Sequence, residues 1–310
     1  MKSASGAPRM HIAKIASSLE EDMRFGRRVA IASIAASCVL ATANIAVGRM
    51  AGSTTVVAAG VEFVGDVIAS TFVLLGMIFG SRPADENHPY GHGRVEILAG
   101  LTVGIILAAG GVGICYRSLG RISEIHPPPG VYAMWPLIGA IVLRSAMSAF
   151  KFRGARRIGS ASLIADARND AVDIVSSVTA LAALGLTLFD PGRFLAADHY
   201  GGVAVGLFVI YTGLRILRDT SMDLIDTMPH AGTIEAIRCA AAAVEGVRGT
   251  EKCYARKTGL KYHVELHVDV DPWMTVEDSH AVATQVRSHI RSALPAVGDV
   301  VVHIEPHRPV

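Results

Sequence analysis

Two acidic residues stand four apart inside one long apolar run, Glu62 and Asp66 in AAGVEFVGDVIAS. In a helix that spacing puts both carboxylates on one face. An ionised carboxylate at mid-membrane costs on the order of 2.5 to 3.5 kcal/mol even on the lenient insertion scale, so a close pair calls for something positive to visit it. A later apolar run, LIADARNDAVDIVSS, holds Asp166, Arg168, Asn169, Asp170 and Asp173. Asp166 and Asp170 are four apart, and so are Asn169 and Asp173, so spacing leaves both faces open. Oxygen pairs from two spans make four ligands, enough for a small divalent cation held between helices. For any single one of these acids the bland alternative is a structural ion pair, to Arg144 in the run between them or to Arg168.

A third group lies between apolar stretches, in ADENHPYGHGRVEI, where Asp85, His88 and His92 offer one carboxylate and two imidazoles. Histidine with carboxylate is a reasonable divalent-ion set. Closing a loop and aligning Arg94 and Glu96 is the structural alternative.

Elements of membrane type must position these residues. Of 310 residues 51% are hydrophobic and 18% charged, too apolar for an ordinary soluble protein of this size. Six runs are long enough to cross a bilayer core of about 30 Å as helices: 28–50, 54–80, 95–117, 131–151, 163–189 and 199–217. Six spans return the chain to its starting side. The basic connection KFRGARRIGS and the arginines before the first run put that side in the cytoplasm by the positive-inside rule, with the loop around His88. Residues 1–25 are polar and lack a signal-peptide pattern, which predicts a cytoplasmic N-terminal segment ahead of a 26–218 membrane domain. Trp135 and Tyr132 fall where an interfacial aromatic belt belongs, and GGVGI in the third span supplies small residues for close helix contact.

From residue 219 charge returns at the density of a soluble domain. GTIEAIRCAAAAVEGV has helical spacing, KCYARKT and KYHVELHVDVD alternate, TVEDSHAVATQVRSHIRSAL is amphipathic and DVVVHIEPH is strand-like. This αββαβ order predicts a small two-layer α+β domain over 219–310, of a size that often leans on a partner. Net charge of +2 and the lack of a basic stripe with interleaved aromatics exclude nucleic-acid binding. Four scattered cysteines suggest neither a disulfide framework nor a thiolate zinc site. No HExxH pattern supports a metallohydrolase, and the chain does not read as an enzyme.

With these residues in hand, the chain resembles the cation diffusion facilitator family of divalent-metal transporters from about residue 25 to residue 305. ADENHPYGHGRVEILAG is similar to that family's segment after the second span, and LIDTMP, GTEKCYARKTG, VELHVDVDPWMTVEDSHAVATQV and VVHIEP are similar to its metallochaperone-like tail. The resemblance implies a transport site of Glu62, Asp66, Asn169 and Asp173, because ADARNDAVDIVSS lines up without a gap. It implies a loop site at Asp85, His88 and His92, and tail metal positions at His267, His280, His303 and Glu305, with Glu251 where others have histidine. It also implies a homodimer that exchanges metal for protons in a bacterial inner membrane, both termini cytoplasmic. Two departures bear on selectivity: Glu62 stands where Asp is usual and Asn169 where zinc transporters have His. Amide and carboxylate oxygens suit Mn²⁺ or Fe²⁺ better than Zn²⁺. The same departures keep open a non-transporting membrane metal sensor or scaffold.

Overall fold

The computed structural model describes residues 31–80, 82–122, 127–158, 161–259 and 261–308, with the backbone alone at 73, 77, 155–158 and 161–169. The expected segment 1–25 lies outside them. Among the described residues, six helices are long and apolar enough to cross a membrane. They are α1 (Ile31–Ala51), α2 (Thr54–Gly80), α3 (Arg94–Arg121), α4 (Met134–Ile158, after a 3₁₀ turn at Val131–Ala133), α5 (Ala161–Phe189) and α7 (Ala197–Leu224), with a short α6 (Pro191–Phe194) before the last. The described residues fall into two compact units, one running up to Thr71 and over Ile105–Leu214, the other over Phe72–Gly104 and from Arg215 onward.

In the first unit, α1 and α2 form a tight hairpin. Gly52, at φ +72°, turns the chain, and a Cβ on Gly48 or Gly60 would meet the opposite helix at 2.8 and 2.6 Å respectively. Small residues let helices approach this closely where no hydrophobic effect drives them together. In GGVGI, Gly111 performs that service against Gly206 and Ile210 of α7, whereas Gly110 and Gly113 face open space. Leu40, Ala41, Phe63 and Ala140 make a small buried cluster. The start of α2 is tied to α7: buried Asp198 accepts from Ser53 Oγ (2.5 Å) and Thr54 N–H (2.6 Å), and Thr54 Oγ1 lies 2.9 Å from His199 Nδ1. These bonds satisfy amide and hydroxyl donors that hydrocarbon could not. The aromatic pair at the start of α4 is exposed, Tyr132 donating to the Met50 carbonyl at 2.9 Å.

One expectation is corrected here. KFRGARRIGS reads as a basic loop, yet α4 continues to Ile158. The stretch contains no proline and only one mid-helix glycine, which a helix tolerates at modest cost. Lys151 is buried within the bundle because a carboxylate meets it there.

The second unit carries the αββαβ tail: α8 (Ala231–Ala242), β1 (Gly249–Thr258), β2 (Lys261–Val270), α9 (Val276–Ala293) and β3 (Val297–Pro306). The sheet order is β1-β2-β3, antiparallel across the β1–β2 turn and parallel across the α9 crossover, as a parallel pair requires. Val264, Leu266, Val268 and Val270 alternate inward from β2 onto Val282, Val286 and Ile290 of α9. Thr275 caps α9 by accepting from the Asp278 N–H at 3.1 Å. Between α7 and the tail, Asp226 adopts a left-handed φ of 59° and accepts from Arg94 (3.1 Å) and Arg256 (3.4 Å). Backbone crosses backbone nearby, where a Cβ on Gly93 would lie 2.6 Å from the Thr258 carbonyl oxygen and one on Gly259 (φ +66°) 2.9 Å from that of Gly93.

Candidate metal centres

The membrane cluster forms where α2 and α5 face each other. Glu62 and Asp66 project from one side of α2, and Ser176 of α5 donates to Glu62 Oε2 at 2.7 Å, both side chains buried. Asp173, three residues before Ser176, is 6% exposed. Between the helices stands Arg144 of α4, with Nη2 2.5 Å from Asp66 and 3.0 Å from Ser37 Oγ of α1, and Nη1 2.8 Å from Asp170 and 3.1 Å from Asp173. Its guanidinium lies over the Phe63 ring at 5.1 Å. Lys151, about two turns further along α4, meets Asp170 at 2.7 Å. Carboxylates from two spans therefore meet in the bundle interior, each compensated by a basic group or a hydroxyl. The side chains of Asn169, Asp166 and Arg168 lie outside the described residues. Ser176, Ser37 and Lys151 carried no signal in the sequence: two are hydroxyls in apolar runs, and the third sat in what read as a loop.

In the loop between α2 and α3, Asp85 Oδ1 accepts the backbone N–H groups of Asn87 (3.0 Å) and His88 (2.7 Å), the local turn that Asp favours. Gly91 at φ +79° swings the chain back. His88 Nδ1 then lies 3.0 Å from Asp85 Oδ1, His92 Nε2 3.3 Å from Oδ2, and the two rings 4.4 Å apart. Desolvation pushes the Asp85 carboxyl up, but the His88 amide and the two imidazoles outweigh it and hold the group below its ordinary value.

The tail cluster follows from register. Parallel pairing sets His267 of β2 beside His303 of β3 on the sheet face away from the helices, ring centroids 4.8 Å apart. Glu305, two residues on and so on the same face, reaches His267 Nδ1 at 2.7 Å and His303 Nε2 at 3.8 Å. A β-bulge between Thr250 and Cys253 breaks alternation in β1, so Cys253 is buried while Glu251 stays exposed and shares a hydrogen bond with Glu305. The His267 bond first, then the Glu251 bond, hold the Glu305 carboxyl below its ordinary value. His280, on an exposed part of α9, does not join this group. In both the loop and the tail, one carboxylate oxygen and two imidazole nitrogens lie within 4.8 Å of one another, a donor set that suits a divalent transition metal.

The family model for the cation efflux transmembrane domain matches residues 30–225, and that for the cation efflux protein cytoplasmic domain matches residues 229–307. The chain belongs to the cation efflux family. The family is one of divalent-cation transporters rather than enzymes, and the chain is an integral membrane protein. Among its relatives, metal tolerance protein C1 of Arabidopsis thaliana is 28% identical over 91% of this chain, which spans 62% of that plant protein's length. Manganese efflux system protein MneS of Bacillus subtilis is 27% identical over 92% of this chain and 97% of its own. Cation-efflux pump FieF of Cronobacter sakazakii is 28% identical over 91% and 94%. Of solved structures, a nickel form of the MamM CTD is 26% identical, covering 26% of this chain and all of its own, with a TM-score of 0.25.

Proposed function

We propose that this cation efflux protein exports a divalent cation from the cytoplasm in exchange for protons, with Mn²⁺ or Fe²⁺ favoured over Zn²⁺. The observation that carries the reading is the interior cluster. Among the described groups, the carboxylates Glu62, Asp66, Asp170 and Asp173 oppose Arg144 and Lys151. Four acids against two bases leave a formal charge of about −2 when all are ionised, which one divalent cation or two protons would neutralise. Cation and protons compete for the same oxygens, the condition for coupling the two fluxes. Glu62, Asp66, Asn169 and Asp173 are the proposed ligands, and their oxygen-only chemistry supports the selectivity. MneS, a manganese efflux protein by name, and FieF, a cation-efflux pump, point the same way.

The tail, through His267, His303 and Glu305, would bind metal and draw two copies into a homodimer, biasing the membrane domain by differential affinity for two conformers. Domain limits of 26–218 and 219–310, an inner-membrane location and cytoplasmic termini complete the proposal. A sensor or scaffold is the second reading, favoured by the ion pairs that Asp66 and Asp173 already make with Arg144, as in a structural bridge.

The test is uptake of Mn²⁺, Fe²⁺, Zn²⁺ and Co²⁺ into proteoliposomes under an imposed pH gradient. Proton-coupled flux of Mn²⁺ or Fe²⁺, abolished in Asp66→Ala and Asp173→Ala and shifted toward Zn²⁺ in Asn169→His, is the expected result. Zinc-dominant flux in the parent protein refutes the selectivity. No flux of any metal leaves the sensor reading in its place.

A further inference from the structure

We propose that Arg144 is a tethered counter-cation that shares the membrane carboxylates with the transported ion, so that cargo enters by displacing a guanidinium. The proposal rests on the export reading above. Arg144 is 4% exposed and its fork spans three acids from two helices: Asp66 at 2.5 Å, Asp170 at 2.8 Å and Asp173 at 3.1 Å. Asp66 and Asp173 are proposed cargo ligands, whereas Asp170 is not. The guanidinium thus sits on two of the oxygen sets that cargo needs.

Three details separate this from a purely structural bridge. First, Asp170 is also held by Lys151 at 2.7 Å, and Arg144 Nη2 also donates to Ser37 at 3.0 Å. When cargo takes Asp66 and Asp173, Arg144 retains partners at Asp170 and Ser37 and stays in the bundle. Second, Arg144 Nη1 donates to Asp170 Oδ1 at 2.8 Å, whereas Asp173 Oδ2, at 3.1 Å, receives no hydrogen bond among the described residues, as Asp170 Oδ2 facing Lys151 also does not, so the Asp173 tie to Arg144 is one of charge without good alignment. Third, Arg144 Nε is buried without a hydrogen-bond partner among the described residues. A guanidinium optimised as a fixed brace would use that donor, because an unmet buried polar group is costly.

Arginine stays protonated at any physiological pH, so its competition with cargo is constant while that of protons varies with pH. It sets the affinity of the site and acts alike on every divalent ion, leaving their order to the ligand atoms. A site of this charge without Arg144 would bind its ion more tightly and release it more slowly.

The experiment is Mn²⁺ uptake by the full-length protein in proteoliposomes, comparing Arg144→Gln, Arg144→Lys, Asp170→Asn and the double variant that combines Arg144→Gln with Asp170→Asn. Arg144→Gln should lower KM by roughly tenfold, within the 5- to 150-fold span typical of coupled sites, and lower kcat with it. Arg144→Lys, which keeps the charge but loses the fork, should fall between. Asp170→Asn should raise KM, because the guanidinium is then left to Asp66 and Asp173, and this effect should vanish when Arg144→Gln is already present. An Arg144→Gln KM equal to or above the parent value overturns the proposal, as does an Asp170→Asn effect that persists undiminished in the double variant. If Arg144→Gln does not survive purification, Arg144→Lys decides: a KM there equal to or above the parent value refutes it. Absence of uptake by the parent protein would instead sink the export reading.

Discussion

Ser176 offers a sharp test of how the membrane cluster is built. Its hydroxyl donates to Glu62 Oε2 at 2.7 Å across the α2–α5 interface, with both groups buried. A hydrogen bond to a charged group contributes about 1.5 to 3 kcal/mol, and each 1.4 kcal/mol is a factor of about ten in an equilibrium constant. If the bond serves to hold Glu62 ionised and aimed for cargo, Ser176→Ala should weaken binding by roughly tenfold to a hundredfold. The lower end is expected, since Glu62 can turn toward other donors once the hydroxyl is gone. The effect should appear as a raised KM for Mn²⁺ with kcat little changed, read from initial uptake rates in proteoliposomes. Ser176→Thr, which keeps the hydroxyl, should restore the parent value. A Ser176→Ala protein that elutes as a single species yet shows KM within twofold of the parent would refute the assignment of Glu62 as a ligand oriented by α5.

Three other perturbations have defined outcomes. Because the Glu305 carboxyl is held below its ordinary 4.5 in the folded tail, its contribution to stability is complete above that value and is lost as pH falls through the lower folded one. Thermal unfolding of the protein in chelator should therefore show an acid limb below about pH 4.5 that Glu305→Gln flattens, and an identical limb in both proteins would contradict the linkage. Burial pushes the Cys253 thiol up, only partly offset by Arg238, while Cys239 is exposed. Maleimide should label Cys239 in the native protein and reach Cys253 only after denaturation. Gly93→Ala should cost about 1 to 3 kcal/mol, since its Cβ would overlap the Thr258 carbonyl, whereas Gly113→Ala, facing open space within α3, should not lower the unfolding temperature.

The six spans and the αββαβ tail were legible because each rests on a local pattern: an apolar run of membrane length, or a period of two or 3.6. The carboxylates of α2 and α5 were legible because hydrocarbon makes charge conspicuous. Of what faces them, only Arg144 was legible, as a candidate ion-pair partner, though it meets Asp66 across 78 residues of sequence. Ser176 meets Glu62 across 114, a distance over which no periodicity speaks. Lys151 was misread because a basic run near a span end is ordinarily a loop, and only the buried partner Asp170 explains a helix there. Glu251 needed the bulge: strict alternation would have turned it inward with Cys253. His280 shares a chemical type with His267 and His303 but lies on a helix, away from the face that strand register assembles.

The Asp226 joint makes the protein sensitive to its surroundings in a way that its buried clusters are not. One partly exposed carboxylate is shared by Arg94 at the head of α3 and Arg256 on β1, all three side chains open to solvent over a third or more of their surface. Salt screens exposed charges over about 8 Å at physiological ionic strength and about 3 Å at 1 M. The rivet that joins the end of α7, the head of α3 and the tail sheet should therefore loosen as salt rises, while the backbone crossing at Gly93 and Gly259 should not. Ionic strength then becomes a dial on how stiffly the tail is geared to the last helix, one that turns without any metal being bound.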